Sequence, residues 1–231
     1  MEKLKKIGIL GGLSPESTIP YYQYLVDLSA KHLPELVYPE IVIYSVNFGE
    51  VVANMRSGNA DKVRELFQKV LDHFKDMGVE VFAIACNTMH IHLPYLNTYD
   101  MEVVHIVDVV GDEAEKHGYK KLMLFGTKRL LDSGLYKEML GKRGIEVVYP
   151  EEEDAIAIDK LIFRLGNGEI NDETRAEAMK YVEKYKDAAD AIILGCTELP
   201  LVVPEGEYNT LDTTHLHAKA IFRKATGIDI E

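Results

Sequence analysis

The chain has few cysteines, two in 231 residues, and few positive charges, 26 lysines and arginines against 38 aspartates and glutamates. Two cysteines cannot form the disulfide framework of a small secreted domain. A formal net charge of −12 argues against a protein that binds nucleic acid through a general positive field. The composition is otherwise that of an ordinary globular protein, 47% hydrophobic and 28% charged.

The sequence also lacks a long apolar run. No stretch approaches the ~20 apolar residues that a membrane-spanning helix needs. The opening segment MEKLKKIGILGG has no apolar signal-peptide core followed by a small-residue cleavage site. We therefore expect a cytoplasmic protein with neither a membrane nor a nucleic acid as its partner.

Short apolar runs rich in β-branched residues alternate with amphipathic segments. We predict strands at 6–10, 41–46, 79–85, 103–106, 121–125, 146–149, 191–194 and 210–211. Apolar residues at helical spacing over 63–74 predict a helix that Asp61 caps and Gly78 ends, and 174–185 and 215–224 predict two more. The alternation predicts an α/β protein with mostly parallel sheets flanked by helices.

Three landmarks recur in the same order along the chain. They are a strand ending in glycine (Gly11 and Gly126), a cysteine after a strand (Cys86 and Cys196), and an aspartate before a helix (Asp108 and Asp212). We infer two α/β domains related by a pseudo-twofold axis, namely 1–107 with 214–231, containing Cys86, and 108–213, containing Cys196. Such a repeat predicts that the two cysteines face each other across a cleft.

Cys86 and Cys196 are the leading candidates for catalysis. A lone cysteine after a strand is more often a small core residue. Here both cysteines occupy the same place in the repeat, each after a predicted buried strand. Active sites of parallel α/β folds lie at the carboxyl ends of their strands, so the pair favours a functional role.

The turn from Gly11 to Ser14 precedes a predicted helix that begins near Pro15. Glycines allow close backbone approach, and the first amides of a helix can bind an anion. The spacing matches neither a dinucleotide-binding fingerprint nor a phosphate-binding P-loop. An amino-acid carboxylate is therefore a better-sized ligand than a pyrophosphate.

Two other kinds of site remain open at this point. Cys86, His90 and His92 could bind zinc, although their spacing fits no common ligand template, and we expect no metal. A nucleophilic cysteine could also pair with a histidine base, for which His90, His215 or His217 are the candidates.

Five segments resemble one enzyme family. They are IGILGGLSPEST at 7–18, CNTMH at 86–90, FGT at 125–127, GCTE at 195–198 and the Asp-Thr pair at 212–213. In this order they are similar to the aspartate/glutamate racemases, which work without pyridoxal phosphate. The segment 17–22 and the Met-His pair after CNT resemble the branch of aspartate racemase-like enzymes with relaxed specificity.

This resemblance implies a fold and a reaction. The family has two α/β domains, a site between them and no cofactor, and its substrate is a small amino acid. Cys86 and Cys196 would be the two bases. The α-amino and α-carboxylate groups would be held by Asn87, Thr88, Thr197, Glu198 and the backbone near Leu13 and Ser14. We also expect a homodimer.

Racemisation removes a proton from one face of Cα and returns one to the other. Two thiols can do this when one is a thiolate, and nearby amides and helix N-termini favour that form. The carbanion also needs hydrogen-bond donors aimed at the carboxylate, because no pyridoxal ring is present to accept electrons.

The pocket for the substrate side chain departs from the strict aspartate racemases. Those enzymes bind the distal carboxylate with an arginine after the second strand and a lysine in the second domain. Here 46–51 contains no arginine, and 163–168 offers Arg164 but no lysine. Arg56 and Arg164 are the candidate replacements.

We therefore predict an isomerase that racemises aspartate or a related acidic amino acid. The alternatives are a racemase of a neutral amino acid, a related carbanion isomerase or decarboxylase, and a binding homologue without turnover.

Overall fold

The computed structural model describes residues 3–204 and 206–230. The chain divides into two compact units, one formed by Met1–His105 with His217–Glu231 and the other by Ile106–Leu216. The chain therefore leaves the first unit after His105 and returns to it at His217.

The first unit is built on a four-stranded parallel sheet with the order β2-β1-β3-β4. Its strands are β1 (Ile7–Gly11), β2 (Ile41–Ser45), β3 (Val81–Ile84) and β4 (Glu102–Val103). Its connections contain α1 (Pro15–His32), α2 (Phe48–Arg56), α3 (Ala60–Asp76) and a 3₁₀ segment at Thr88–Tyr95.

The second unit repeats this arrangement, with a parallel sheet in the order β6-β5-β7-β8. The chain enters it through α4 (Ile106–His117). The strands are β5 (Lys121–Phe125), β6 (Glu146–Val148), β7 (Ala191–Leu194) and β8 (Thr210–Asp212). The remaining elements are α5 (Lys128–Ser133), α6 (Leu135–Gly141), α7 (Glu152–Gly166), α8 (Asp172–Tyr185), a 3₁₀ segment at Leu199–Leu201, and α9 (Thr213–Thr226), which carries the chain back.

The middle strands of both sheets are buried along their length. Every residue of β1, β3 and β7 is buried, as expected for parallel strands covered by helices on both faces. Successive residues of β5 belong to different apolar clusters, Leu122 and Leu124 to one and Met123 and Phe125 to the other. The predicted fold class, α/β units with parallel sheets flanked by helices, is confirmed.

The predicted strands are all present within the described residues, with some boundaries changed. The strand predicted at 79–85 is Val81–Ile84. The strand predicted at 103–106 is the shorter Glu102–Val103, because Ile106 already begins α4.

The prediction that Asp61 caps α3 is wrong. The helix begins at Ala60, and Asn59 accepts a hydrogen bond from the backbone N of Lys62 at 3.4 Å. Asp61 lies in the first turn and pairs with Arg64 at 2.8 Å. Gly78 does follow the end of the helix, in the left-handed conformation (φ +69°) that glycine adopts readily.

The helices turn apolar faces to the sheets and polar faces outward. In α3, Val63, Phe67 and Val70 are buried, whereas Lys62 and Glu65 are exposed. Within residues 3–204 and 206–230, no helix combines the length and apolar content that crossing a membrane would need.

Candidate active site

The first cysteine lies just beyond strand β3. The backbone N of Ala85 donates to the carbonyl of Leu10 at 2.9 Å, so the pairing with β1 continues to the residue before the cysteine. The N of Cys86 instead donates to the carbonyl of Ile84 at 2.8 Å, which turns the chain out of the sheet. Cys86 is half-buried and is not disulfide-bonded.

The segment after Cys86 folds back so that His90 binds the backbone of the cysteine. Asn87 and Thr88 are both buried and lead into the 3₁₀ segment. The backbone N of His90 donates to the carbonyl of Asn87 at 3.2 Å. The Nδ1 of His90 lies 2.8 Å from the carbonyl oxygen of Cys86 and donates to it, since a carbonyl can only accept.

The glycine turn after β1 depends on the absence of a side chain at Gly12. This residue has φ +77°, and a Cβ there would lie 2.5 Å from the carbonyl oxygen of Val46. Its backbone N donates to Oγ1 of Thr18 at 2.9 Å. Only glycine fits this close approach to the next strand.

The turn leads to Leu13 and Ser14 at the start of α1. Leu13 is buried in the apolar core, so its backbone rather than its side chain is suited to bind a ligand. The hydroxyl of Ser14 donates to Glu16 at 3.1 Å and does not cap the helix. The first-turn amides therefore form the kind of helix N-terminus that binds carboxylates.

The second cysteine occupies the equivalent place after β7. The backbone N of Gly195 donates to the carbonyl of Phe125 at 2.7 Å, so pairing with β5 again continues to the residue before the cysteine. A Cβ on Gly195 would lie 2.8 Å from that carbonyl oxygen. Cys196 is half-buried and is not disulfide-bonded.

A buried carboxylate lies beside Cys196. The Sγ of Cys196 donates to Oε2 of Glu198 at 2.8 Å, and Oγ1 of Thr197 donates to the same oxygen at 3.1 Å. Glu198 is 5% exposed and Thr197 7%. Glu198 therefore accepts hydrogen bonds from both neighbours, one of which is the candidate catalytic thiol.

The two cysteine turns differ in the charge beside them. Burial, reinforced by the neighbouring His105 and His217, lowers the pKa of His90 well below its ordinary value. The group bound to the Cys86 turn is therefore a neutral imidazole at neutral pH, whereas an acidic side chain lies next to Cys196.

Comparison of the whole sequence with known protein families shows which family contains a chain with these two cysteine turns. Residues 10–221 match the protein family described as Asp/Glu/Hydantoin racemase. The chain belongs to this racemase family. The predicted family is confirmed, and so is the predicted enzyme class, an isomerase of the amino-acid racemase type.

Several known proteins are similar to this racemase over nearly its whole length. The broad specificity amino-acid racemase RacX of Bacillus subtilis is 26% identical over 220 residues, which are 93% of this chain and 95% of RacX. The structure of an aspartate racemase homologue from Pyrococcus horikoshii is 31% identical with a TM-score of 0.79, covering 96% of this chain and all of that one. The aspartate racemase of Picrophilus torridus, at 21% identity, is similar in fold, with a TM-score of 0.81 and coverage of 96% and 94%.

The two arginines proposed for this racemase's side-chain pocket have different surroundings. Arg56 is exposed in the last turn of α2. Arg164 is bound by three carboxylates, at 2.9 Å by Glu169, 3.1 Å by Glu173 and 2.7 Å by Glu177. The guanidinium of Arg164 therefore already binds one carboxylate from the loop before α8 and two from α8 itself.

The metal site and the histidine bases His90 and His217 have little geometric support. The described part of the chain contains no group of three or more His, Cys, Asp or Glu that could hold a metal ion. His92 packs its ring edge-on against Phe67, and His90 Nδ1 binds a backbone carbonyl.

The ring nitrogens of His217 contact the hydroxyl of Tyr21 and the carbonyl of Val104. Both nitrogens are thus engaged away from a thiol, and His217 is not placed to act as the base for one.

Sequence reasoning missed two features of the site. Glu198 was expected to bind substrate, and its contact with Cys196 was not foreseen, although the two residues share the GCTE segment. The grouping of His90 with His105 and His217 has no signal in local spacing, because the three residues come from distant parts of the chain.

Neutralising Glu198 is expected to make Cys196 more reactive. A negative charge about 3 Å from a sulfur disfavours the thiolate by at least ~1 kcal/mol even in water-like surroundings, equivalent to about fivefold. In Glu198→Gln, iodoacetamide should therefore alkylate Cys196 about five times faster at pH 7, while Cys86 in the same molecule changes less than twofold. Peptide mass spectrometry measures both rates.

The matched control is Glu153→Gln, which removes an exposed acidic group from the first turn of α7. It should leave both rates unchanged. Slower alkylation of Cys196 in Glu198→Gln would contradict this interpretation of the contact.

Proposed function

We propose that this protein racemises an amino acid without a cofactor, using Cys86 and Cys196 as its two bases. The observation that carries the proposal is their equivalent placement, each one residue beyond the last hydrogen bond of a middle strand. The proposal requires the two sulfurs to reach opposite faces of the substrate Cα.

The reaction balances with these two groups alone. The thiolate of one cysteine takes the Cα proton, so that a Cα–H bond breaks and an S–H bond forms. The other cysteine then gives its proton to the opposite face of the carbanion and becomes the thiolate. The contact with Glu198 favours the state in which Cys196 holds the proton, and in this state Cys86 is the base. Turnover of one enantiomer starts from this state and leaves the proton on Cys86, and the opposite enantiomer reacts from that second state.

The carbanion intermediate needs donors directed at its carboxylate. We assign this role to the backbone amides at Leu13 and Ser14, because they lie at the N-terminus of α1, and to Asn87, Thr88 and Thr197. All five residues are buried, so their hydrogen bonds would act in surroundings of low dielectric.

Aspartate or a related acidic amino acid is the first candidate substrate, by resemblance to the family. One observation favours a second candidate, an amino acid with a neutral side chain. Arg164 is bound by three carboxylates, and a buried distal carboxylate without a cationic partner is penalised. The broad specificity named for the Bacillus subtilis relative is consistent with this candidate.

A homodimer is part of the proposal, supported by apolar side chains that the first unit exposes on α1 and β2. Ile19 and Tyr22 on α1 are 69% and 53% exposed, and Ile43 on the edge strand β2 is 36% exposed. Contact with a second copy of the chain would remove such side chains from water.

Replacing either cysteine should abolish racemisation. A serine hydroxyl is far less acidic than a thiol and supplies almost no ionised base near neutral pH, so Cys86→Ser and Cys196→Ser should each lower the rate at least about a hundredfold. Polarimetry measures the rate of racemisation. The assay contains a chelator and no added pyridoxal phosphate, because the proposed reaction needs neither a metal nor a cofactor. The conservative core variant Met89→Leu is the matched control and should retain activity. A folded serine variant with the full rate would contradict the two-base proposal.

A substrate screen separates the two candidate side chains. A neutral substrate predicts that at least one neutral amino acid has a higher kcat/KM than aspartate, and that Arg56→Ala and Arg164→Ala change kcat/KM by less than twofold. Arg164→Ala should lower the Tm, because three ion pairs are lost. The opposite result is a wild-type protein that prefers aspartate and loses about thirtyfold in kcat/KM for aspartate, ~2 kcal/mol, in one of the two variants. That result would assign the substituted arginine to the pocket.

Sedimentation equilibrium tests the homodimer. The chain has a mass of 26.1 kDa, and we expect twice this mass in solution. Ile43→Lys should shift the protein towards the single chain, whereas Ile156→Lys, an exposed apolar position on α7, should not. A wild-type mass of 26.1 kDa would contradict the proposal.

A further inference from the structure

Three histidine rings meet in the first unit, and we refer to His90, His105 and His217 as the histidine cluster. The ring centroid of His90 lies 4.7 Å from that of His105 and 5.8 Å from that of His217. His90 and His217 are fully buried, and His105 is half-buried. His105 is the last residue before the chain leaves the first unit, and His217 is the first after it returns.

Hydrogen bonds determine the protonation of His217. Its Nε2 lies 2.8 Å from the carbonyl oxygen of Val104, which can only accept, so Nε2 carries the hydrogen. In the neutral ring Nδ1 is then an acceptor, and it receives the hydroxyl of the buried Tyr21 at 3.0 Å. Burial lowers the pKa of His217 to about 4, which keeps the ring neutral.

The same reasoning gives His90 the opposite tautomer. Its Nδ1 donates to the carbonyl of Cys86 at 2.8 Å, so the hydrogen is on Nδ1. The carbonyl of Cys86 is thus bound by a side chain, while its backbone N is bound by Ile84. His90 therefore holds the turn at Cys86 through the carbonyl of that cysteine. The rings of His105 and His217 pack against the ring of His90.

We propose that His90 is a positioning residue for Cys86: its Nδ1–H donates to the Cys86 carbonyl and thereby fixes the direction in which the thiol points. Tyr21 and His217 hold the cluster in which His90 packs. This assignment rests on the proposed function, because only a thiol that exchanges a proton with Cα needs such placement. A misplacement of about 1 Å can cost on the order of a hundredfold in rate.

Two amide substitutions separate the hydrogen bond from the volume of the ring. Asparagine at position 90 carries an N–H where histidine has Nδ1, whereas glutamine carries it where histidine has Nε2. Glutamine also fills more of the space. If the bond to Cys86 matters, His90→Asn should perform better than His90→Gln although it leaves the larger cavity.

The readouts are kinetic and chemical. In His90→Gln we expect kcat to fall at least tenfold with KM within threefold, and in His90→Asn we expect kcat within threefold of the wild type. The ratio of Cys86 to Cys196 alkylation rates should change at least fivefold in His90→Gln and less than twofold in His90→Asn. Cys196 serves as the internal reference, and this ratio requires no turnover.

Wild-type kcat and alkylation ratio in both variants would overturn the proposal. Equal losses in both would also overturn it, because the ring would then act through its volume alone. Full racemisation by Cys86→Ser contradicts the proposed function instead, so the two failures are distinguishable.

A measurement on the unchanged protein covers the case in which the variants do not fold. Nitrogen NMR of ¹⁵N-histidine-labelled protein should show His90 protonated on Nδ1 and His217 on Nε2 at pH 7. A His90 ring protonated on Nε2 and bare at Nδ1 would overturn the assignment.

Discussion

The position of both candidate bases depends on one kind of hydrogen bond, the last one that each middle strand makes with its neighbour. Ala85 donates to Leu10 in the first sheet, and Gly195 donates to Phe125 in the second. The next residue is a cysteine in both cases. The strand is thus held rigidly up to the candidate base, while the cysteine itself begins the turn. A site placed directly after a rigid element is better defined than one within a long loop.

The repeated framework carries different chemistry in its two halves. Cys196 donates to the buried carboxylate of Glu198, whereas the backbone of Cys86 accepts from the neutral ring of His90. A racemase acts on two mirror-image substrates, yet the proposed mechanism requires one cysteine to begin each turnover as the thiol and the other as the thiolate. The unequal neighbours give a physical reason for one of these two protonation states to be favoured in the absence of substrate.

The sequence was sufficient for the features that depend on local pattern. Continuous apolar runs predicted the buried strands, and the glycine turn predicted the helix that begins at Pro15. The cap at Asn59 was missed, because Asn59 and Asp61 are both good capping residues and the choice depends on where the helix packs. The bond between Tyr21 and His217 joins residues 196 positions apart, and such contacts have no periodicity to detect.

The central claim is that each thiol serves one face of Cα, and isotope incorporation in heavy water tests it most directly. One pure enantiomer of a substrate would be incubated with the protein in D₂O, and deuterium at Cα would be measured in both enantiomers before the reaction reaches equilibrium. Two bases predict deuterium in the newly formed enantiomer and almost none in the recovered substrate. Deuterium appearing equally early in the recovered substrate would mean that one base acts on both faces, and would contradict the account.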